Sequence, residues 1–263
     1  MDGASPRRRI SLLLRKILRE SRFFPACNRS NRAQTLPLIS DDFCRLRKSV
    51  RVIEVPDSID SIAILMRSMD LVHRIETSLP GVWELRPKVF RDSRGFFMET
   101  YHRERFAELE IPCSFVQDNH SRSAKSTLRG LHYQLHHPQA KLCRVVEGKA
   151  LDVAVDVRLA SPTFGKYASV LLSADDHNQI YIPGGFAHGF LALTDSVQFL
   201  YKCSDFYDPA DEHGVSWNDP DINIPWGMPD PRVSEKDSKF PRLADIPREF
   251  LPHYSAKRNQ ESC

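Results

Sequence analysis

No two of the six cysteines stand close enough to form a C-x-x-C pair. Cys27, Cys44, Cys113, Cys143, Cys203 and Cys263 are scattered over 263 residues, a pattern that suggests neither a zinc knuckle nor a disulfide framework. Reduced thiols in a cytoplasmic protein are the expectation. Long apolar runs are also missing. The stretch Ile10-Ser11-Leu12-Leu13-Leu14 is cut short by Arg15-Lys16, too brief for a transmembrane helix and without the small-residue cleavage site of a secretory signal. No membrane partner is expected. Helical periodicity is scarce, confined to a short stretch at 8–20, to roughly 103–109 and to a few residues near the C-terminus. Strands that do not alternate with helices argue against a parallel α/β sheet.

Positive charge is lacking over most of the chain. Residues 1–51 carry 13 Lys/Arg against 4 Asp/Glu, whereas the other 212 residues hold 24 basic and 30 acidic side chains. So acidic a body does not read as a nucleic-acid binder, and any anion it takes must be met by a few placed cations. The basic segment reads as a poorly structured extension over residues 1–68, or as sequence upstream of the true start, since Met66 and Met69 lie just ahead of the first strand-like pattern. A folded domain is expected over 69–245, with a tail at 246–263.

What is present from Val82 onward is β texture. Short runs rich in Val, Ile, Leu and Phe recur between Gly, Pro, Asp and Asn. In Leu151-Asp152-Val153-Ala154-Val155-Asp156-Val157 the Leu and Val residues share one face, and Asp152, Ala154 and Asp156 share the other. Similar strands are expected at Lys141–Val146, Tyr167–Leu172, Gln179–Ile182, Gly189–Leu193 and Val197–Lys202, with turns at Glu147-Gly148 and Asp175–Asn178. Many short antiparallel strands predict an all-β sandwich or jelly roll, whose ligand site lies inside the barrel.

Four segments cluster polar and aromatic groups among strand residues: Gln117-Asp118-Asn119-His120; Arg129-Gly130-Leu131-His132-Tyr133-Gln134 with Lys141 beyond it; Pro183-Gly184-Gly185-Phe186-Ala187-His188-Gly189; and Phe199-Leu200-Tyr201-Lys202 continuing to Tyr207-Asp208-Pro209. Imidazoles with a carboxylate suit zinc, iron or manganese. A metal-dependent enzyme using His136, His188 and Glu147 is therefore one reading. Pro183-x-Gly185-x-x-His188 resembles the second half of the cupin metal pattern, but the first half needs two His separated by one residue, and His132 is followed at that spacing by Gln134.

A second resemblance covers more of the chain. Phe90-x-Asp92-x-Arg94-Gly95-Phe96-Phe97-x-Glu99, Val116-Gln117-Asp118-Asn119-His120-Ser121, Leu128-Arg129-Gly130-Leu131-His132-Tyr133-Gln134 and Lys141-Leu142 resemble the dTDP-4-dehydrorhamnose 3,5-epimerase family. So do Ser161-Pro162-Thr163-Phe164-Gly165, Ile182-Pro183-x-Gly185-Phe186-Ala187-His188-Gly189-Phe190, Phe199-Leu200-Tyr201-Lys202, Trp217-Asn218-Asp219-Pro220 and Ser234-x-Lys236-Asp237. The likeness runs in unbroken order from about Gly81 to Ala244. It implies a jelly-roll (cupin) barrel with short flanking helices, a homodimer, and no metal or organic cofactor. The partner it implies is a dTDP-linked 4-keto-6-deoxyhexose, with dTDP-4-dehydro-6-deoxy-D-glucose inverted at C3 and C5 to dTDP-4-dehydro-L-rhamnose in deoxysugar biosynthesis.

The chemistry fits the residue types. A 4-keto group acidifies the C–H bonds at C3 and C5, and inversion needs a base on one face and a proton donor on the other. A base poised near neutrality favours histidine. By resemblance His132 is that base and Asp237 holds its imidazole, as in other His–Asp pairs. Tyr201 matches the proton donor, a phenol with an ordinary pKa of about 10, and Lys141 matches the cation at the developing oxyanion. The resemblance makes Arg94, Glu99, Gln117, Asp118, Asn119, Arg129, His188, Tyr207, Glu212 and Lys236 substrate-binding residues, with Arg94 and Arg129 suited to phosphate and Tyr207 to stacking on thymine. It leaves open inversion at a single carbon. A sugar-nucleotide binding module without catalysis is the third reading.

Overall fold

The structure is a computed structural model, and it describes residues 71–111 and 114–255. The expectations for residues 1–68 lie outside the described residues. Strands β1 (Val72–Glu76), β2 (Trp83–Pro87), β3 (Val89–Asp92) and β4 (Gly95–Met98) come first, followed by one short helix, α1 (Arg103–Glu108). Then run β5 (Gln117–Ala124), β6 (Leu128–Gln134), β7 (Lys141–Glu147), β8 (Lys149–Asp156), β9 (Tyr167–Ser173), β10 (Gln179–Ile182), β11 (Phe186–Ala192), β12 (Ser196–Cys203) and β13 (Glu212–Gly214). Short 3-10 turns at Asp237–Lys239, Leu243–Asp245 and Arg248–Phe250 carry the chain toward its end. Helix α1 falls where the sequence periodicity put it. The ring of His102 caps its start, accepting from the Arg105 amide, and Phe106 is its buried anchor.

The strands pair antiparallel into a six-stranded sheet in the order β1-β2-β10-β7-β12-β5, a five-stranded sheet in the order β13-β6-β11-β8-β9 and a separate β3–β4 hairpin. This is the jelly-roll barrel the resemblance implies. Between the sheets lies one apolar core, with Cys143, Val145, Ile180, Ile182, Val197 and Phe199 from the first and Val170, Leu172, Phe186 and Phe190 from the second. Phe190 and Phe199 stack across the gap with ring centroids 4.0 Å apart. Each such side chain taken out of water contributes roughly 1.5–3 kcal/mol, and the sheets are held face to face by that burial. The core fills one end of the gap; polar side chains line the other.

Strand β8 departs from the simple reading of its alternation. Its two faces are as expected, but both are buried. Val153 and Val155 point away from the barrel centre, where Val215, Trp226, Leu243, Ile246 and Leu251 cover them. The face that carries Asp152 is the inner one, and Asp152 is fully buried. The expected tail is described as far as residue 255. Residues 246–255 pack on the barrel through buried Ile246 and Leu251, the Phe250 carbonyl accepts from the Tyr133 hydroxyl at 2.8 Å, and the Leu159 carbonyl accepts from the Tyr254 amide at 2.9 Å.

Candidate active site

The polar end of the barrel encloses a cavity of about 650 Å³. It is built from both sheets. From the six-stranded sheet, β5 contributes Gln117 and Asn119, β7 Lys141 and β12 Tyr201; from the five-stranded sheet, β6 contributes Arg129 and His132, β11 His188 and β13 Glu212. Tyr207, Lys236 and Asp237 reach it from loops and the first 3-10 turn. Eleven of the fourteen residues picked out in the sequence therefore converge in one space. Period-2 geometry explains the strand members, since Gln117 and Asn119 alternate toward the same side.

His132 stands between two acids. Its Nε2–H donates to Asp237 Oδ1 at 2.8 Å, while Nδ1 lies 3.9 Å from Glu212 Oε1. Asp237 is buried and fixed in turn: its Oδ2 accepts from the Gly130 amide at 3.2 Å, and its own amide donates to Ser234 Oγ at 3.0 Å. Burial alone would raise the Asp237 carboxyl pKa, but the His132 hydrogen bond and charge, with the Gly130 amide, hold it below the usual carboxylate range. Gly130 is required here by both space and conformation. Its φ is +119°, and a Cβ would sit 2.5 Å from Gly189 Cα. That close approach lets β6 and β11 bring Arg129, His132 and His188 onto one wall.

Tyr201 faces the cavity from the opposite sheet, and burial is the main cause that pushes its phenol up to about 12. It therefore keeps its proton at neutral pH. Lys141, two residues along β7 from Cys143, the cross-strand neighbour of Tyr201, makes no ion pair or side-chain hydrogen bond among the described residues. Glu212 Oε2 accepts from Tyr207 Oη and from Lys236 Nζ, each at 2.6 Å. Burial would raise the Glu212 pKa, but these two bonds and the His132 charge lower it. Tyr207 responds the other way and is raised to about 12, chiefly by its hydrogen bond to that carboxylate. Gln134 holds the Tyr207 loop, donating to the carbonyls of His137 and Phe206 and accepting from the Asp208 amide.

Three expected site residues are not brought to the cavity by this chain. Asp118 lies on the opposite face of β5, where its carboxylate pairs with Lys202 at 2.8 Å; alternation turns it away from Gln117 and Asn119. Arg94 is at the tip of the exposed β3–β4 hairpin and pairs with Asp92. Glu99 follows β4 and pairs with Arg105, its Oε1 buried without a hydrogen-bond partner. The metal set His136, His188 and Glu147 does not assemble either. Glu147 is exposed and accepts from Gln198, and His136 borders a separate hollow.

The cavity also contains residues the sequence reading passed over. Ser121 continues the Gln117, Asn119 alternation, and its hydroxyl is buried with no hydrogen-bond partner. One more step of period 2 would have found it. Arg232 enters from the C-terminal segment through a parallel bridge to Thr127, which no local pattern announces.

Known proteins bear directly on this arrangement. The family model described as dTDP-4-dehydrorhamnose 3,5-epimerase matches residues 76–245, most of the chain. The chain belongs to that family. Among curated members, the dTDP-4-dehydrorhamnose 3,5-epimerase of Shigella flexneri is 49% identical over 173 residues, covering 65% of this chain and 96% of that protein. A Legionella pneumophila dTDP-6-deoxy-D-glucose-3,5-epimerase, solved in complex with dTDP-4-keto-L-rhamnose, superposes with a TM-score of 0.69 at 44% identity, covering 70% of this chain and all of that one. A 3'-monoepimerase from Streptomyces bikiniensis in complex with dTDP-quinovose superposes at 0.65 with 37% identity, covering 70% and 94%. The protein is thus an isomerase of the dTDP-4-dehydrorhamnose 3,5-epimerase family with a cupin-type fold. Among the described residues no helix is long and apolar enough to cross a membrane.

Proposed function

We propose that the protein inverts both C3 and C5 of dTDP-4-dehydro-6-deoxy-D-glucose, giving dTDP-4-dehydro-L-rhamnose, with His132 as base and Tyr201 as proton donor. One observation carries the reading: His132 on one sheet, paired with Asp237, faces a protonated phenol on the other across a single cavity that also holds Lys141. His132, oriented by Asp237, removes the proton beside the 4-keto group, and the C–H electron pair moves into an enolate. Lys141 meets the negative charge on the C4 oxygen, an electrostatic contribution on the order of 3 kcal/mol for one well-placed group. Tyr201 returns a proton from the other face, which inverts the carbon. Arg129, Arg232 and Lys236 supply the cations a diphosphate needs, while Gln117, Asn119 and Ser121 offer hydrogen bonds to sugar or base. His188 contacts the sugar or phosphate, and Tyr207 stacks on the base.

Incubation with the dTDP-keto sugar in deuterated water tests this. Label is expected at both C3 and C5. His132→Ala is expected to abolish exchange, and Tyr201→Phe to permit exchange while stopping net inversion. Exchange in His132→Ala as fast as in the wild type would remove the assigned base. Similarity to a 3'-monoepimerase favours a second reading, inversion at one carbon, and label at C3 alone would select it.

We also infer a homodimer. Phe90, Phe96 and Phe97 on the β3–β4 hairpin are exposed in the single chain, and beside them Glu99 Oε1 is buried without a partner. A second copy that covers this hairpin accounts for the exposed rings. It also gives Arg94 and Glu99 a route to a substrate, in the neighbouring copy rather than their own.

A further inference from the structure

Behind the wall that His188 contributes to the cavity lies a group of three buried side chains, Cys143, Asp152 and His188. Asp152 and His188 come from the five-stranded sheet and Cys143 from the six-stranded one. His188 Nε2 stands 3.0 and 3.1 Å from the two Asp152 oxygens and 3.9 Å from Cys143 Sγ, and the three ligand atoms all lie within 4.8 Å of one another. None of the three side chains belongs to the base, donor or oxyanion set. Asp152 is fully buried, and His188 is its only hydrogen-bond partner among the described residues. A buried carboxylate with a single imidazole partner is an expensive arrangement, and its charge has no cation set permanently against it.

We propose that Cys143, Asp152 and His188 form a binding site for a divalent cation of the zinc type, reached from the cavity past His188. The ligand types fit, since thiolate, imidazole and carboxylate together suit a borderline-soft ion better than magnesium or calcium. The spacing fits as well. Tetrahedral zinc, with bonds of about 2.3 Å to sulfur and about 2.0–2.2 Å to nitrogen and oxygen, sets its ligand atoms about 3.2–3.6 Å apart. The two separations from His188, 3.0 Å to Asp152 and 3.9 Å to Cys143, fall within a few tenths of an ångström of those values, and the thiol and carboxylate lie within 4.8 Å of each other. Charge fits too. On binding, Cys143 loses its thiol proton to solvent and the His188 hydrogen moves to Nδ1. One thiolate, one carboxylate and one neutral imidazole then balance the two charges of the ion, leaving a neutral buried site. Three protein ligands leave the fourth tetrahedral position to a non-protein ligand.

Such an ion is an inhibitor rather than a cofactor, because it ties down His188 at the wall where the sugar nucleotide is proposed to lie; this consequence alone rests on the proposed function. The test is titration of chelator-stripped protein with zinc chloride by calorimetry, and with cobalt chloride by absorption. The wild type is expected to bind one ion per chain and to show a thiolate-to-cobalt charge-transfer band. Cys143→Val is expected to lose the band and at least tenfold in affinity, while Cys203→Val, which removes the other buried thiol, keeps both. Thermal unfolding checks that both variants fold. No stoichiometric binding in the wild type, or equal affinity in Cys143→Val, would overturn the site. Zinc is further expected to stop carbon–hydrogen exchange in the wild type and not in Cys143→Val. A protein that binds zinc through Cys143 but exchanges no label without it would keep the site and sink the epimerase reading.

Discussion

His132 has an acid beside each ring nitrogen, and the two acids are proposed to do different work. Asp237 is buried, receives the Nε2–H and is held by the Gly130 amide, so its substitution acts on the base itself. Asp237→Asn keeps the shape but loses the charge that stabilises the imidazolium and can hold the wrong tautomer. A fall in kcat of up to roughly ten-thousandfold is expected, by analogy with other His–Asp pairs, with KM changed little, as steady-state kinetics will show. Glu212 is farther away, at 3.9 Å, and is tied instead to Tyr207 and Lys236. Glu212→Gln is expected to raise KM more than it lowers kcat. It should also release the Tyr207 phenol from its value of about 12 toward the ordinary tyrosine range, because the carboxylate that favours its protonated form is gone; ultraviolet titration against Tyr207→Phe reads this directly. At this scale the sequence was legible where chemistry and strand parity agree, as at Gln117 and Asn119. Asp118 shows the cost of taking a motif whole: alternation alone turns it to the other face. Arg232 was not legible, since only the folded chain brings it to Thr127.

Among the elements, the turn between β8 and β9 shows how a short motif becomes structural. Asp156 closes β8 and accepts from Arg158 Nε and Nη2, each at 2.8 Å, and from the hydroxyls of Ser161 and Thr163. Burial would raise its pKa, but the guanidinium and the two hydroxyls outweigh that and lower it. A carboxyl whose folded pKa lies below its unfolded one contributes stability above the ordinary carboxylate range and loses it as pH falls through the folded value. The wild type is therefore expected to lose thermal stability on acidification below about pH 4, with Asp156→Asn showing a flatter acid limb. At neutral pH that variant should unfold more easily by roughly 3 kcal/mol, the scale for breaking a buried ion pair; denaturant titration at both pH values checks the two statements. Strand positions were legible because the apolar runs are short and separated by turn residues. Gln179–Ile182 was placed to the residue, and the strand at Val197–Lys202 needed one residue at each end. The inner placement of Asp152 was not legible, because period-2 alternation separates two faces without saying which one meets the core.

For the whole molecule, the question is what covers the surfaces a single chain leaves apolar. The outer face of the five-stranded sheet is covered by the chain's own C-terminal segment, down to Leu251. Among the described residues the β3–β4 hairpin has no such cover: Phe97 is 70% exposed and Phe96 54%. Two neighbouring aromatic rings left in water forgo several kcal/mol of burial, more than a soluble monomer usually leaves at one place. If a second copy supplies the cover, sedimentation should give twice the chain mass, and Phe97→Asp should shift the protein toward one chain. The same substitution should weaken binding of the dTDP-sugar, since Arg94 and Glu99 would no longer be delivered to the neighbouring cavity, while the spectroscopic signature of the barrel stays unchanged. A Phe97→Asp variant that remains a dimer and binds as the wild type does would place the interface elsewhere and leave Arg94 and Glu99 without a role in the site.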